Sequence, residues 1–155
     1  MRVVTADMPI PTDDAPAIFL VGPTPRDEET PSWRPEAISF LKVIGFDGVV
    51  FVPERESWDC YYTDQIEWGH GGLDRAASNG CIAAWVPRDL KTMPAFTTNI
   101  EFGIYVGCGR FAYGRPPEAP KCRYLDWLYK KRTGMEPLVT LLSLMNQAVR
   151  MANES

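Results

Sequence analysis

Three short apolar runs in this chain stop in the same way. "AIFLVGP" (17–23), "GVVFVPE" (48–54) and "CIAAWVP" (81–87) each hold four to six consecutive apolar residues and then leave through a proline. A run without polar alternation is apolar on both faces, which is how a strand reads when layers cover it above and below. A fourth, weaker run is "RFAYG" (110–114). Helical patterns lie between and after them. "EAISFLKVIGF" puts Ile38, Leu41 and Ile44 on one face, and "PLVTLLSLMNQAVRMAN" puts Leu138, Leu141, Leu142, Met145 and Val149 on one side. "YLDWLYKKRTG" is a further helix. "TDQIEWGHGGLDRAASNG" begins helical at Thr63 or Asp64, but each glycine of its "GHGG" weakens a regular helix by about 1 kcal/mol relative to alanine.

Strands apolar on both faces that alternate with helices predict a parallel sheet with helices on both sides and right-handed crossovers. The expected architecture is a three-layer α/β sandwich of the flavodoxin-like kind, with four or five parallel strands. Residues 1–16, rich in Pro and Asp, are expected to form a loose arm, and residues 17–155 a single domain. Ligands of such sheets bind beyond the carboxyl ends of the strands, where the strand order reverses. The three proline exits and the start of the helix at "TTNIEFGIYVG" (97–107) should meet there.

Composition narrows the partners. The net charge of −4 argues against a polymeric nucleic acid, which selects a basic face. No apolar run reaches the roughly 18 residues of a membrane span, and "MRVVTADMPIPTDD" lacks a signal-peptide core, so the expected location is the cytoplasm. Cys60, Cys81, Cys108 and Cys122 form no C-x-x-C pair, which predicts free thiols rather than a metal site. His70 is the only histidine, and no G-x-S-x-G elbow accompanies it, which sets aside a serine triad. Phe111, Tyr113, Tyr124, Trp127 and Tyr129 are more aromatic surface than one core of this size is expected to bury, which predicts a homo-oligomer.

Glu101 is the single carboxylate in "TTNIEFGIYVG". Two readings compete. Thr98-Asn99-Ile100-Glu101 fits a capping box, in which the glutamate closes the helix start. Alternatively, the carboxylate faces the cleft, kept ionised by the positive helix end and ready to act as a nucleophile. Gly103 and Gly107 are expected to let this helix lie close to the sheet and so to hold Glu101 firmly.

The series "FLVGP", "GFDGVVFVPE", "YTDQIEW" and "AAWVPRDLKTMPAFTTNIEFG" resembles the nucleoside 2-deoxyribosyltransferase-like family over about residues 17–115, most specifically from Trp85 to Gly103. The resemblance implies a flavodoxin-like fold, an oligomer whose sites are completed by a neighbouring subunit, and a glutamate nucleophile at the anomeric carbon of a 2'-deoxyribonucleoside. Carried across, that glutamate is Glu101. The chemistry is transfer of a 2-deoxyribosyl group between nucleobases, with a small-molecule nucleoside or nucleotide as partner and neither metal nor organic cofactor required. Breaking an N-glycosidic bond builds positive charge on the sugar, which a carboxylate below C1' stabilises and can capture covalently, as in retaining glycosidases.

The neighbouring strand ends supply further candidates. Gly22 and Pro23 allow close approach of the sugar to the backbone, and Glu54 follows the second strand. Glu67 and Trp68 lie on the next helix, Trp68 offering a stacking face for a base. Arg88 and Asp89 follow the third strand, and Asn99 sits two residues before Glu101. Each of these also fits a structural role, as surface ion pairs or plain core. "TPRDEETPSWRP" (24–35) is expected to be a flap over the pocket, excluding water. One departure stands out. Transferases of this type place acids on the helix before the third strand and shortly before the nucleophile, where this chain reads "GHGGL" and "PAFTT". The acid that protonates the base is therefore unassigned. N-glycosidic hydrolysis and a non-catalytic nucleotide-binding module remain alternatives.

Overall fold

The computed structural model describes residues 1–57 and 59–154. Five strands, β1 (Arg2–Thr5), β2 (Ala17–Val21), β3 (Val49–Val52), β4 (Gly80–Trp85) and β5 (Phe111–Gly114), form one sheet in the order β1-β3-β2-β4-β5. Every pairing is parallel. The doubly apolar runs are explained by two cores. Ile18 and Leu20 of β2 point into one, while Ala17, Phe19 and Val21 point into the other. Helices α1 (Arg34–Ile44) and α5 (Leu141–Asn153) cover the first face. Helices α2 (Tyr62–Ser78), α3 (Phe96–Tyr105) and α4 (Arg123–Thr133) cover the second. This is the expected flavodoxin-like sandwich, with five strands.

Several local expectations are corrected. The N-terminus is not wholly a loose arm. Arg2–Thr5 pairs with β3 in the register Arg2↔Val49 to Thr5↔Val52, as an edge strand too short to be distinguished among polar neighbours. The segment that follows is tied to α2. Arg75 donates to Asp13 Oδ1 at 3.1 Å, to the Ala15 carbonyl at 3.0 Å and to the Pro11 carbonyl, and Trp68 Nε1 donates to the Met8 carbonyl at 2.9 Å.

Helix α2 runs unbroken through "GHGG". Gly72 lies so near β2 and β3 that a Cβ there would come within 2.8 Å of the Phe19 ring. Close helix–sheet packing offsets the low helix propensity of glycine. Gly103 and Gly107, expected to bring α3 down onto the sheet, instead face outward with nothing near their Cβ positions. Phe102 and Tyr105 make the inward contact. Of the late aromatics, Phe111, Tyr113 and Tyr129 are core, while Tyr124 and Trp127 are exposed.

The topology fixes where a ligand can sit. From β2 the chain crosses through α1 to β3 on one side, and from β4 it crosses through α3 to β5 on the other. The crevice beyond the carboxyl ends of β2 and β4 is the point of reversal.

Candidate active site

A cavity of about 390 Å³ occupies that crevice, within the range of small-molecule sites. Gly22, Pro23, Thr24 and Arg26 from the β2 exit, Arg34 from α1 and Pro53 from the β3 exit form one side. His70, Gly69, Ile66 and Tyr62 from α2 and Glu101, Ile100, Ile104 and Thr97 from α3 form the other. Among the described residues, Glu101 is the only carboxylate that lines the cavity.

The local backbone explains how Glu101 reaches the cavity. Helix α3 begins after Ala95, which adopts a left-handed conformation (φ 62°, ψ 41°) and offers no side-chain cap. A non-glycine residue there costs on the order of 1–2 kcal/mol, and such strain persists where the surroundings impose it. Arg88 imposes it in part. The guanidinium is buried, donating from Nη1 to the Pro94 carbonyl at 3.1 Å and from Nη2 to Asn99 Oδ1 at 2.6 Å, so it clamps the turn to the first coil of α3. Because the helix starts at Phe96, Thr98 lies inside it and Glu101 is in its second turn. The capping box does not form, and the capping role for Glu101 is overturned.

The electrostatics differ from the expectation too. Burial pushes the Glu101 carboxyl up to about 7, against the opposing pull of the Arg34 charge. The helix dipole was expected to keep it ionised, but that effect fades beyond the first turn, and desolvation wins. Arg34 is fully buried, and desolvation lowers its pKa. The Glu54 charge and its hydrogen bond oppose that: Nη1 donates to Glu54 Oε1 at 2.6 Å and to Thr24 Oγ1 at 3.0 Å, Nη2 to the Gly22 carbonyl at 2.7 Å, and Nε to the Leu20 carbonyl at 3.1 Å.

The other sequence candidates divide. Gly22 and Pro23 line the cavity. A Cβ at Gly22 would overlap the Trp85 carbonyl and come within 2.7 Å of the Trp33 ring, so glycine is required by packing beneath the site. Glu54 stands behind Arg34 and also accepts from Ser32 Oγ at 2.6 Å. Arg88 and Asn99 act on the α3 turn and do not line the cavity. Asp89 accepts from the backbone N–H groups of Lys91 (2.9 Å) and Thr92 (2.8 Å), bonds that lower its pKa, and does not line the cavity. Glu67 is exposed outside the cavity. Trp68 packs on Phe19 and Phe51 with ring centroids 6.1 and 5.9 Å away, so it is part of the core edge rather than a base-stacking face. The 24–35 segment starts at the cavity through Thr24 and Arg26, and the Arg26 N–H donates to the Thr92 carbonyl at 3.0 Å.

Sequence reasoning missed Arg34 and His70 as cavity residues. Arg34 sits one residue before a proline that opens a helix, a position that reads as surface. His70 was weighed only as a triad member. Its signal was the spacing of His70 and Asp74 on α2, i to i+4, matched by that of Glu101 and Tyr105 on α3. Among the described residues no cluster of three or more His, Cys, Asp or Glu could hold a metal ion. No protein-family model matches the chain, and no curated protein matches it.

Proposed function

We propose that the protein is an enzyme of the N-glycosidic bond, transferring the 2-deoxyribosyl group of a nucleoside or nucleotide between bases through a covalent Glu101–sugar intermediate. The observation that carries this reading is the position of Glu101: a lone carboxylate on the wall of a small-molecule-sized cavity at the sheet's point of reversal. Its environment suits the chemistry. A desolvated carboxylate gains more from a developing positive charge than a hydrated one does, so its stabilisation is concentrated in the transition state. The apolar walls at Ile66, Ile100 and Ile104 suit a sugar edge and a base plane.

Incubation with deoxyinosine and adenine tests the reading. Deoxyadenosine and hypoxanthine together support transfer. Hypoxanthine with free deoxyribose identifies a hydrolase of the same bond. Deoxyinosine bound in the cavity and left intact supports the binding-module alternative.

We also propose that the chain works as a homo-oligomer in the cytoplasm. Phe96, Ile100 and Ile104, which line the cavity mouth, are also exposed in a stripe on α3, and Tyr124 and Trp127 form a second exposed patch on α4. Contiguous apolar surface of this kind favours association.

A further inference from the structure

The proposed reaction leaves one requirement without a residue: the departing base must receive a proton. Helices α2 and α3 present a linked pair of side chains at this point. Tyr105 Oη donates to Asp74 Oδ1 at 2.6 Å, and His70 Nδ1 lies 3.4 Å from the same Oη. The rings of His70 and Tyr105 pack with centroids 6.4 Å apart. His70 lines the cavity together with Glu101, and Glu101 is one turn before Tyr105 on α3.

The bonding fixes the tautomer. The single hydroxyl proton of Tyr105 is committed to Asp74, so toward His70 the oxygen can only accept. His70 Nδ1 must then carry a hydrogen. In the neutral ring Nε2 is left as a lone pair, and in the cationic ring Nε2 is a second N–H donor. The charged and titratable groups around the ring are Asp74 on its own helix, Tyr105 and Glu101 on α3, and Arg26 and Arg34 across the cavity.

Building on the proposed glycosidic chemistry, we propose that His70 is the catalytic acid and base for the nucleobase, with Tyr105 and Asp74 as positioning residues that hold Nδ1 hydrogenated and leave Nε2 to exchange protons with the base. In the first half-reaction the C1'–N bond breaks and its electron pair stays on the base. The Nε2 proton of cationic His70 passes to a ring nitrogen of the base, and a Glu101 carboxylate oxygen bonds to C1'. In the second half, a nitrogen of the incoming base, or water, bonds to C1' and Glu101 leaves as the carboxylate. The neutral Nε2 accepts the proton that the incoming group gives up, so the enzyme returns to its starting state. The absence of a carboxylic acid in "GHGGL" is then a replacement of one proton donor by another.

The test compares two substrates in the full-length protein. Deoxyinosine needs a proton on its leaving base, whereas 4-nitrophenyl 2-deoxyriboside has a leaving group that departs as a stable anion. General acid catalysis contributes roughly 10²–10⁴-fold. His70→Gln should therefore lower kcat on deoxyinosine at least about 100-fold and change kcat on the nitrophenyl substrate less than about 5-fold. Tyr105→Phe should lower deoxyinosine turnover about 10-fold and change the nitrophenyl rate less than about 5-fold. Equal losses on both substrates, or no loss on either, would overturn the assignment of His70 while leaving Glu101 untouched. A wild-type protein inert toward both substrates would overturn the glycosidic reading itself and this inference with it. Loss of both activities in Glu101→Gln alone marks the first reading as sound.

Discussion

Arg34 and Glu101 line the same cavity, yet the Arg34 guanidinium gives its hydrogen bonds to Glu54, Thr24, Gly22 and Leu20 and none to Glu101. Its charge therefore acts on Glu101 only through space. That arrangement leaves the carboxylate oxygens free to meet a sugar, with a fixed cation nearby to limit the cost of their ionisation. A direct Arg34–Glu101 bond would have occupied those oxygens.

Burial of Glu101 makes stability depend on pH. Its folded-state pKa, about 7, lies above the ordinary value of 4.5. The contribution of this group is therefore most favourable below about pH 4.5 and is lost as pH rises through about 7. The full shift corresponds to about 3 kcal/mol, and less after allowing for the carboxyl's partial contact with solvent. Glu101→Gln should match wild type in melting temperature near pH 4.5 and exceed it increasingly up to pH 7.5, with a plateau above. A difference independent of pH would show that the carboxyl is well solvated.

The same shift sets the acid limb of activity. A nucleophilic carboxylate must be ionised, so kcat/KM on 4-nitrophenyl 2-deoxyriboside should rise with pH through about 7. Removing the nearby cation in Arg34→Met should move that limb to higher pH. It should also destabilise the fold by about 3–5 kcal/mol, because Glu54 is left without its buried partner. A limb unchanged in Arg34→Met would separate Arg34 from the site.

Gly22→Ala tests the floor of the cavity. The added Cβ meets the Trp85 carbonyl and the Trp33 ring, so β2 and β4 cannot both keep their places. A loss of about 1–3 kcal/mol by chemical denaturation, with KM raised more than kcat is lowered, is expected.

Much of this was legible in the sequence, for a physical reason in each case. The runs 17–21, 49–52 and 80–85 are apolar on both faces because two helical layers cover them, and no other common environment asks for that. Their proline exits placed the site at one sheet edge. What was not legible depends on tertiary contact. Capping of α3 was misread because "TTNIE" satisfies a local rule that the Arg88 clamp and the left-handed Ala95 override from outside the segment. The edge strand Arg2–Thr5 carries too few residues for a period to show. Trp68 looked like a stacking platform, yet whether an aromatic faces a ligand or the core is decided by the turn of α2 against Phe19 and Phe51. His70 gained meaning only when Tyr105, 35 residues away, came beside it.

Light scattering should give a mass above that of one 17.4 kDa chain at micromolar concentration. Replacing Tyr124 and Trp127 with glutamate should return the monomer with its fold intact, since both side chains are exposed on the single chain and lie outside the cavity. A wild-type monomer at high concentration would remove the oligomer from the proposal.

Intact-mass analysis of protein quenched in acid during turnover of a 2'-deoxynucleoside tests the role of Glu101 most directly. The wild-type chain should gain the mass of one 2-deoxyribosyl group, mapped by proteolysis to the peptide that carries Glu101, and Glu101→Gln should gain none and lose turnover by several orders of magnitude. Rapid wild-type turnover with no adduct on that peptide, together with a Glu101→Gln variant that keeps most of the activity, would contradict it.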